Sequence, residues 1–298
     1  MTWLIVGGRG QLGRSLSLIL GRKGIDYRSL SSESLDIRSL ESCLYWSEQI
    51  SPVVIVNAAA WTNVDGAEKS PSDAYEVNAV GALNLAIAAK SINATYVQIS
   101  TDYVFSGTAR TPWATDDLRS PISVYGRTKA TAEQWVLENY SSKTYIFRTA
   151  WLYSPWGKNF VKTMIKLAKR NQQEVRVVDD QIGQPTSAID LAEKIVDSII
   201  EELPFGIFHA TNGGQATWFE FAQEVFDLCG ESHERVIPIS SLSLKLIAPR
   251  PEYSVLSHNC WQQMGKSGKP LSPMRGWREA LQNDFPEILH NVLKDMEV

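Results

Sequence analysis

Short apolar runs alternate with helical patterns through the first half of the chain. Trp3–Val6 is a β-type run, followed by a glycine-rich turn and a helical pattern from Gln11 to Arg22. Ile25–Leu30 reads as a second strand, Arg38–Glu48 as a helix, and the β-branched run Val53–Asn57 as a third strand. Ser70-Pro71-Ser72-Asp73 opens the next helix: Ser70 can cap, Pro71 suits the first turn, and Asp73 sits where a capping box wants a carboxylate. That helix predicts an apolar stripe of Val80, Leu83 and Ile87 and runs to about Ser91. Thr95–Ile99 and Tyr145–Phe147 read as the fourth and fifth strands, with a helical pattern over Tyr125–Leu137 between them.

Continuous apolar strands separated by helices imply a parallel sheet covered on both faces. Right-handed crossovers then give an α/β, doubly wound, Rossmann-type sheet, whose ligands bind beyond the carboxyl ends of the strands. After about Trp151 the rhythm changes. Helices are expected at Asn159–Arg170, Ile189–Ile200 and Thr217–Leu228, the last with a Thr217/Glu220 capping box, and a strand at Val175–Val178. Pro238–Pro273 looks loop-rich. Residues 1–150 are therefore expected to form a dinucleotide-binding domain. Residues 151–298 are expected to be mainly a smaller C-terminal substrate-binding lobe, with some segments returning to the sheet.

Composition narrows the function. Hydrophobic residues make up 44% and charged residues 21% of the 298, enough to bury a sizeable core. The net charge of −4, with Lys and Arg scattered, argues against a nucleic-acid partner. No uninterrupted apolar stretch suits a bilayer, and no signal peptide is expected, because glycines interrupt the apolar run after Val6. Cys43, Cys229 and Cys260 are far apart and suit neither a disulfide framework nor zinc, so a reducing cytoplasm is the expected compartment. The four histidines show no ligand spacing, and no metal is expected.

The turn Gly7-Gly8-Arg9-Gly10-Gln11-Leu12-Gly13 carries the first chemistry. Gly7 permits a tight turn, Gly10 lets backbone approach a pyrophosphate, and Gly13 lets the helix pack closely on the sheet. The helix N-terminus offers unpaired N–H groups to a diphosphate. Dinucleotide sites that select NAD often place a carboxylate at the end of the second strand. Here Arg28-Ser29-Leu30-Ser31-Ser32 stands there, and the first carboxylate is Glu33. Arg9 and Arg28, with Ser31 or Ser32, could face a 2′-phosphate. NADPH is the favoured cofactor, with NADH as the alternative. Asp36 and Ile37 follow and could flank the adenine.

Tyr125 and Lys129 share a helix face one turn apart. An ammonium near a phenol is expected to lower the phenol pKa and make Tyr125 a proton donor near neutrality. With ten tyrosines in the chain such a spacing arises readily by chance, so the pair takes its weight from position. The fourth strand ends in Ser100-Thr101-Asp102-Tyr103-Val104-Phe105, on the ligand side. A hydroxyl there, Thr101 or else Ser100, could bind a substrate carbonyl and orient Tyr125.

These residues resemble the extended short-chain dehydrogenase/reductase family, and within it the branch of the dTDP-4-dehydrorhamnose reductases. The likeness covers most of the chain. It rests on Gly7–Gly13, on Asn57-Ala58-Ala59-Ala60 with Thr62, Val64 and Asp65, on Ser100–Phe105, Tyr125–Lys129 and Arg148-Thr149-Ala150-Trp151, and on Asn159-Phe160. Asp180-Gln181 with Gly183 and Pro185-Thr186, and Arg250-Pro251 with Ser254 and Leu256, complete it. The resemblance implies that Gly10, Gln11 and Leu12 cradle the cofactor diphosphate. It places Asp36 and Ile37 by the adenine, and Ala58, Ala60, Trp61 and Thr62 toward the ribose and nicotinamide. It makes Thr101, Tyr125 and Lys129 the catalytic trio, turns Asp102, Trp151 and Asn159 to the sugar, and pairs Arg250 with the nucleotide diphosphate. Family members often carry His where Trp61 stands. Some dimerise through acidic side chains around magnesium, but two matching positions are Ser15 and Ile189 here, which argues against a metal-bridged dimer while leaving an oligomer open.

The implied activity is NADPH-dependent reduction of the C4 ketone of a nucleotide-diphospho-6-deoxy sugar, dTDP-4-dehydro-L-rhamnose above all. Two alternatives share the motifs. One is a nucleotide-sugar epimerase or dehydratase, though dehydratases tend to carry an acidic pair after the strand-end Thr, and Tyr103 follows Asp102 here. The other is an NADP-binding regulatory subunit resembling that of methionine adenosyltransferase.

Overall fold

The computed structural model describes residues 1–170 and 173–297. Its centre is a six-stranded parallel sheet. In chain order the strands are β1 (Trp3–Val6), β2 (Tyr27–Leu30), β3 (Val54–Asn57), β4 (Thr95–Thr101), β5 (Thr144–Thr149) and Gly206–His209. In space the order is Gly206–His209, β5, β4, β3, β1, β2. The chain builds outward from β1 to β2, then returns past β1 to β3. The strand order reverses at the β1/β3 boundary, where such sheets open a ligand crevice.

Alternate residues of each strand feed opposite layers. Ile5, Val56, Val97 and Phe147 pack under α1 (Gln11–Arg22) and the helix Ala188–Ile200. Leu4, Val6, Ile55 and Tyr96 pack against α2 (Leu40–Ile50) and the helices Gly81–Ser91 and Val124–Tyr140. A third core, built on Tyr153, Ile165, Phe221, Trp277 and Ile288, belongs to a C-terminal lobe of the helices Phe160–Arg170, Trp218–Leu228 and Trp277–Glu297. The parallel pair Val175–Val178 and Val236–Ile239 lies within that lobe. Two C-terminal segments, Ala188–Ile200 and Gly206–His209, pack on or join the large sheet.

Local chemistry sets several boundaries. The Thr217/Glu220 capping box forms in both directions. The box expected at Ser70 and Asp73 does not. Ser70 also closes the short helix Val64–Lys69, and it sits at φ −132°, ψ 63° with no side-chain cap. The helix expected to run unbroken to Ser91 contains a wider π-type turn at Glu76–Val80. That turn presents Asn78, whose amide donates to Thr128 Oγ1 at 3.0 Å and to Trp61 O at 3.1 Å. It thereby joins the loop after β3 to the helix that carries Tyr125. Among the described residues no helix is long and apolar enough to cross a membrane.

Candidate active site

The carboxyl edge of the sheet carries two cavities that share Gly10, Ala58, Ala59 and Ala60. The larger, about 610 Å³, is lined by Gln11, Leu12 and Thr62, by Ser100–Tyr103, by Tyr125 and Lys129, and by Trp151, Lys158 and Trp218. The smaller, about 380 Å³, is lined by Gly7, Arg9, Ser31, Ser32, Asp36, Ile37 and Arg38.

The glycine turn fits a dinucleotide. Gly7 has φ +85°, and a Cβ there would lie 2.6 Å from Ala59 N. A Cβ on Gly13 would lie 2.4 Å from Gly7 O, so the turn can seat on its helix only without side chains. Gly10, the N-cap of α1, makes no side-chain cap bond. The first N–H groups of the helix therefore keep their donors for an anion at the cavity wall. Gln11 Oε1 accepts from Asn159 Nδ2 and Ser154 Oγ, each at 3.1 Å, which ties the turn to the C-terminal lobe.

Not every expected residue converges. Arg9 ion-pairs with Glu33 at the rim of the smaller cavity. Arg28 points elsewhere, 3.7 Å from Asp26 and bonded to Tyr27 O, and does not line the cavity. Arg38 does, held by two-pronged bonds to Asp36, whose carboxyl it keeps below the usual range. Trp61 does not line the larger cavity, and its indole donates to Asn63 O at 3.0 Å. Asn159 is engaged with Gln11 and Ser154. Arg250 bonds Asp65 at 3.0 Å and faces a separate cavity of about 590 Å³ with Ser106, Gly107 and Tyr253.

The trio does converge. Thr101, at the end of β4, and Tyr125, from the helix Val124–Tyr140, line one cavity wall with Lys129. The Thr101 hydroxyl donates to Asp102 Oδ1 at 2.9 Å. Ser123 caps that helix by accepting from Gly126 N, which fixes the first turn on which Tyr125 stands. Lys129 is buried, and its Nζ donates to Ile99 O at 2.5 Å. Burial pulls its pKa down to about 8 against the opposing pull of Glu133.

One expectation is corrected. Lys129 does not make the phenol acidic here. Burial dominates and pushes Tyr125 up to about 12, with Thr101 opposing and Asp102 adding to the rise. Tyr125 is thus a neutral O–H across the physiological range.

Sequence reasoning passed over several lining residues. Trp218 stacks on Trp151 and completes an aromatic wall, Lys158 brings a cation to the mouth, and Tyr103 lies edge-on to Tyr125 at 5.6 Å. Arg38 could have been found, since it directly follows the Asp36-Ile37 pair. Trp218 carried only the signal of an aromatic placed just after a helix cap. Among the described residues no group of His, Cys, Asp or Glu could hold a metal ion.

Comparison with known proteins identifies the family. Residues 1–289 match the family model described as RmlD substrate binding domain. A dTDP-4-dehydrorhamnose reductase of Streptomyces griseus is 42% identical over 290 residues, covering 96% of this chain and 93% of that protein. A dTDP-4-keto-6-deoxy-D-glucose reductase of Streptomyces niveus is 40% identical, covering 95% of this chain and 96% of that protein. The crystal structure of the Bacillus anthracis dTDP-4-dehydrorhamnose reductase in complex with NADP superposes with a TM-score of 0.90 at 38% identity, covering 96% of this chain and 99% of that one. The chain belongs to the RmlD family, the family of the dTDP-4-dehydrorhamnose reductases.

Proposed function

We propose that the protein reduces the C4 ketone of a nucleotide-diphospho-6-deoxy-4-keto sugar with NADPH, dTDP-4-dehydro-L-rhamnose being the first substrate to test. The observation that carries this reading is the meeting of Thr101, Tyr125 and Lys129 in one cavity whose wall is the glycine turn. Arg9, Arg38 and the hydroxyls of Ser31 and Ser32, at the rim of the adenine-side cavity, favour a 2′-phosphorylated dinucleotide. When bound, such a cofactor supplies the hydride.

The chain's own residues do the rest. Tyr125, a neutral phenol, donates its proton to the oxygen that becomes an alkoxide, a far stronger base than phenolate. Thr101 holds that phenol in line. Lys129 brings an N–H donor beside the cofactor ribose. Trp151 and Trp218 give the sugar an apolar wall. Such a site supplies alignment and charge stabilisation, and positioned proton transfer contributes about 10²–10⁴-fold.

The test is loss of NADPH absorbance with a panel of nucleotide 4-keto sugars, with NADH in parallel. Net consumption with a 6-deoxy-4-keto sugar supports the reading. A tightly held cofactor with no net consumption would indicate an epimerase or dehydratase, and no turnover with any sugar would indicate a regulatory subunit. Tyr125→Phe should lose about 10²–10⁴-fold in kcat.

A further inference from the structure

Thr101 has a single hydroxyl hydrogen, and it is already committed. Its Oγ1 donates to Asp102 Oδ1 at 2.9 Å and accepts the Tyr103 N–H at 3.2 Å. A hydroxyl has one hydrogen and two lone pairs. With that hydrogen on Asp102, Thr101 has no donor left for a ketone oxygen. Asp102 itself is 2% exposed, and its Oδ2 is buried without a hydrogen-bond partner. An ionised carboxylate in that state is costly.

We propose that Asp102 is a positioning residue whose own proton sets the direction of the Thr101 hydroxyl, and that the reductase works with this carboxyl protonated. The protonated carboxyl donates to Thr101 Oγ1. The Thr101 hydrogen is then free to point at the ketone oxygen, the same atom to which Tyr125 donates. No bond to carbon and no electron is involved; the step is the reversal of one hydrogen bond. The inference rests on the reductase reading and deepens it.

The surroundings suit such a carboxyl. On its own segment the neighbouring titratable group is Tyr103, held up by burial. From the helix Val124–Tyr140 it faces Tyr125, while Lys129 fronts the same cavity. From the C-terminal lobe it faces the uncharged Ser254, and the Arg250–Asp65 pair acts on Tyr103 beyond it. Burial, opposed by Ser254 and Thr101, pushes Asp102 up to about 6. Its protonated fraction therefore falls as pH rises through about 6.

The experiment is the pH profile of kcat/KM for the wild type, Asp102→Asn and Thr101→Val, from about pH 5 to about pH 8.5. Wild-type kcat/KM should fall about tenfold per unit on the alkaline side of a limb set by one ionisation. Asp102→Asn, whose amide donates at every pH, should keep at least about a tenth of the best wild-type rate and lose the limb. Thr101→Val should be slower throughout and also lack it. A limb that persists in Asp102→Asn, or a wild type without one, overturns the proposal while leaving the reductase reading intact. Carboxyl NMR of aspartate-labelled protein decides the matter without turnover. The resonance missing from Asp102→Asn should titrate near the value for a buried acid in the wild type. Its titration in the ordinary aspartate range, near about 4, overturns the gate whatever the activity.

Discussion

Trp151 lies face to face on Trp218, with ring centroids 3.6 Å apart and planes 9° from parallel. Trp151 stands in a left-handed conformation, φ +46°, that a bulky residue adopts only when its surroundings enforce it. Gly183 packs against the same ring, since a Cβ there would lie 2.5 Å from it. Aromatic pairs contribute about 0.5–1.5 kcal/mol beyond their burial. Trp218→Ala should therefore raise KM for the nucleotide sugar and lower kcat/KM about tenfold at most, an effect of ~1.4 kcal/mol. NADPH affinity, read by fluorescence titration, should stay within twofold, roughly the background of surface changes. A loss confined to cofactor binding would refute the aromatic wall.

How much of this was legible beforehand depended on whether a signal was local. The turn Gly7–Gly13, the Thr101 strand end and the Tyr125–Lys129 spacing each lie within a few consecutive residues, and their places in a βαβ pattern were readable. What the side chains do to one another was not. The Tyr125 phenol was expected to turn acidic because helical spacing put an ammonium one turn away. Burial of the phenol decides its state, and burial comes from chain segments distant in sequence. Arg28 looked apt for a phosphate until strand β2 turned it toward Asp26. The helix Trp277–Glu297 escaped notice because Pro286, a helix breaker by default, sits inside it. The edge strand Gly206–His209 has four residues and becomes recognisable only by its pairing with β5.

Behind the trio, Arg148 and Glu133 form an ion pair sealed from solvent. Arg148 Nε and Nη2 reach the two Glu133 oxygens at 2.9 and 2.7 Å, and Ser100 Oγ donates to the same carboxylate at 2.5 Å. Removing one member of a buried pair strands the other, typically at about 3–5 kcal/mol. Glu133→Gln should destabilise by that order in urea unfolding. Glu133→Leu combined with Arg148→Met should recover most of the loss, and a double-mutant cycle measures the coupling. Additive single losses would show that the pair is not coupled.

Arg38 and Arg28 make a matched comparison on the cofactor side. Arg38 lines the adenine-side cavity and is held in place by Asp36; Arg28 lies outside it. If a 2′-phosphate sits there, Arg38→Ala should raise KM for NADPH about tenfold and leave KM for NADH nearly unchanged, as for loss of one charge-assisted contact. Arg28→Ala should change neither by more than about twofold, as expected of an exposed pair. Steady-state kinetics with both cofactors separates the two. The reverse ranking would return the phosphate contact to β2.

Asp284 offers a pH test of stability rather than of chemistry. It stands in the helix Trp277–Glu297, is 7% exposed, and accepts from Ser187 Oγ at 2.5 Å. Burial pushes its carboxyl up to about 6, with Ser187 opposing and Asp190 adding to the rise. The folded protein thus binds this proton more tightly than the unfolded chain does. The stabilisation is fully present below the unfolded value near about 4 and is lost as pH rises through the folded value. A rise of that size corresponds to at most ~3 kcal/mol. Asp102 is raised in the same direction, so the wild-type curve alone cannot assign the effect. The difference between Asp284→Asn and the wild type can. The variant should gain on the wild type steadily from about pH 4 to about pH 7 in denaturant unfolding, because its amide keeps the Ser187 bond without a charge to bury. A constant difference across that range would mean that Asp284 titrates alike in both states, and that burial of its charge does not limit how this helix docks.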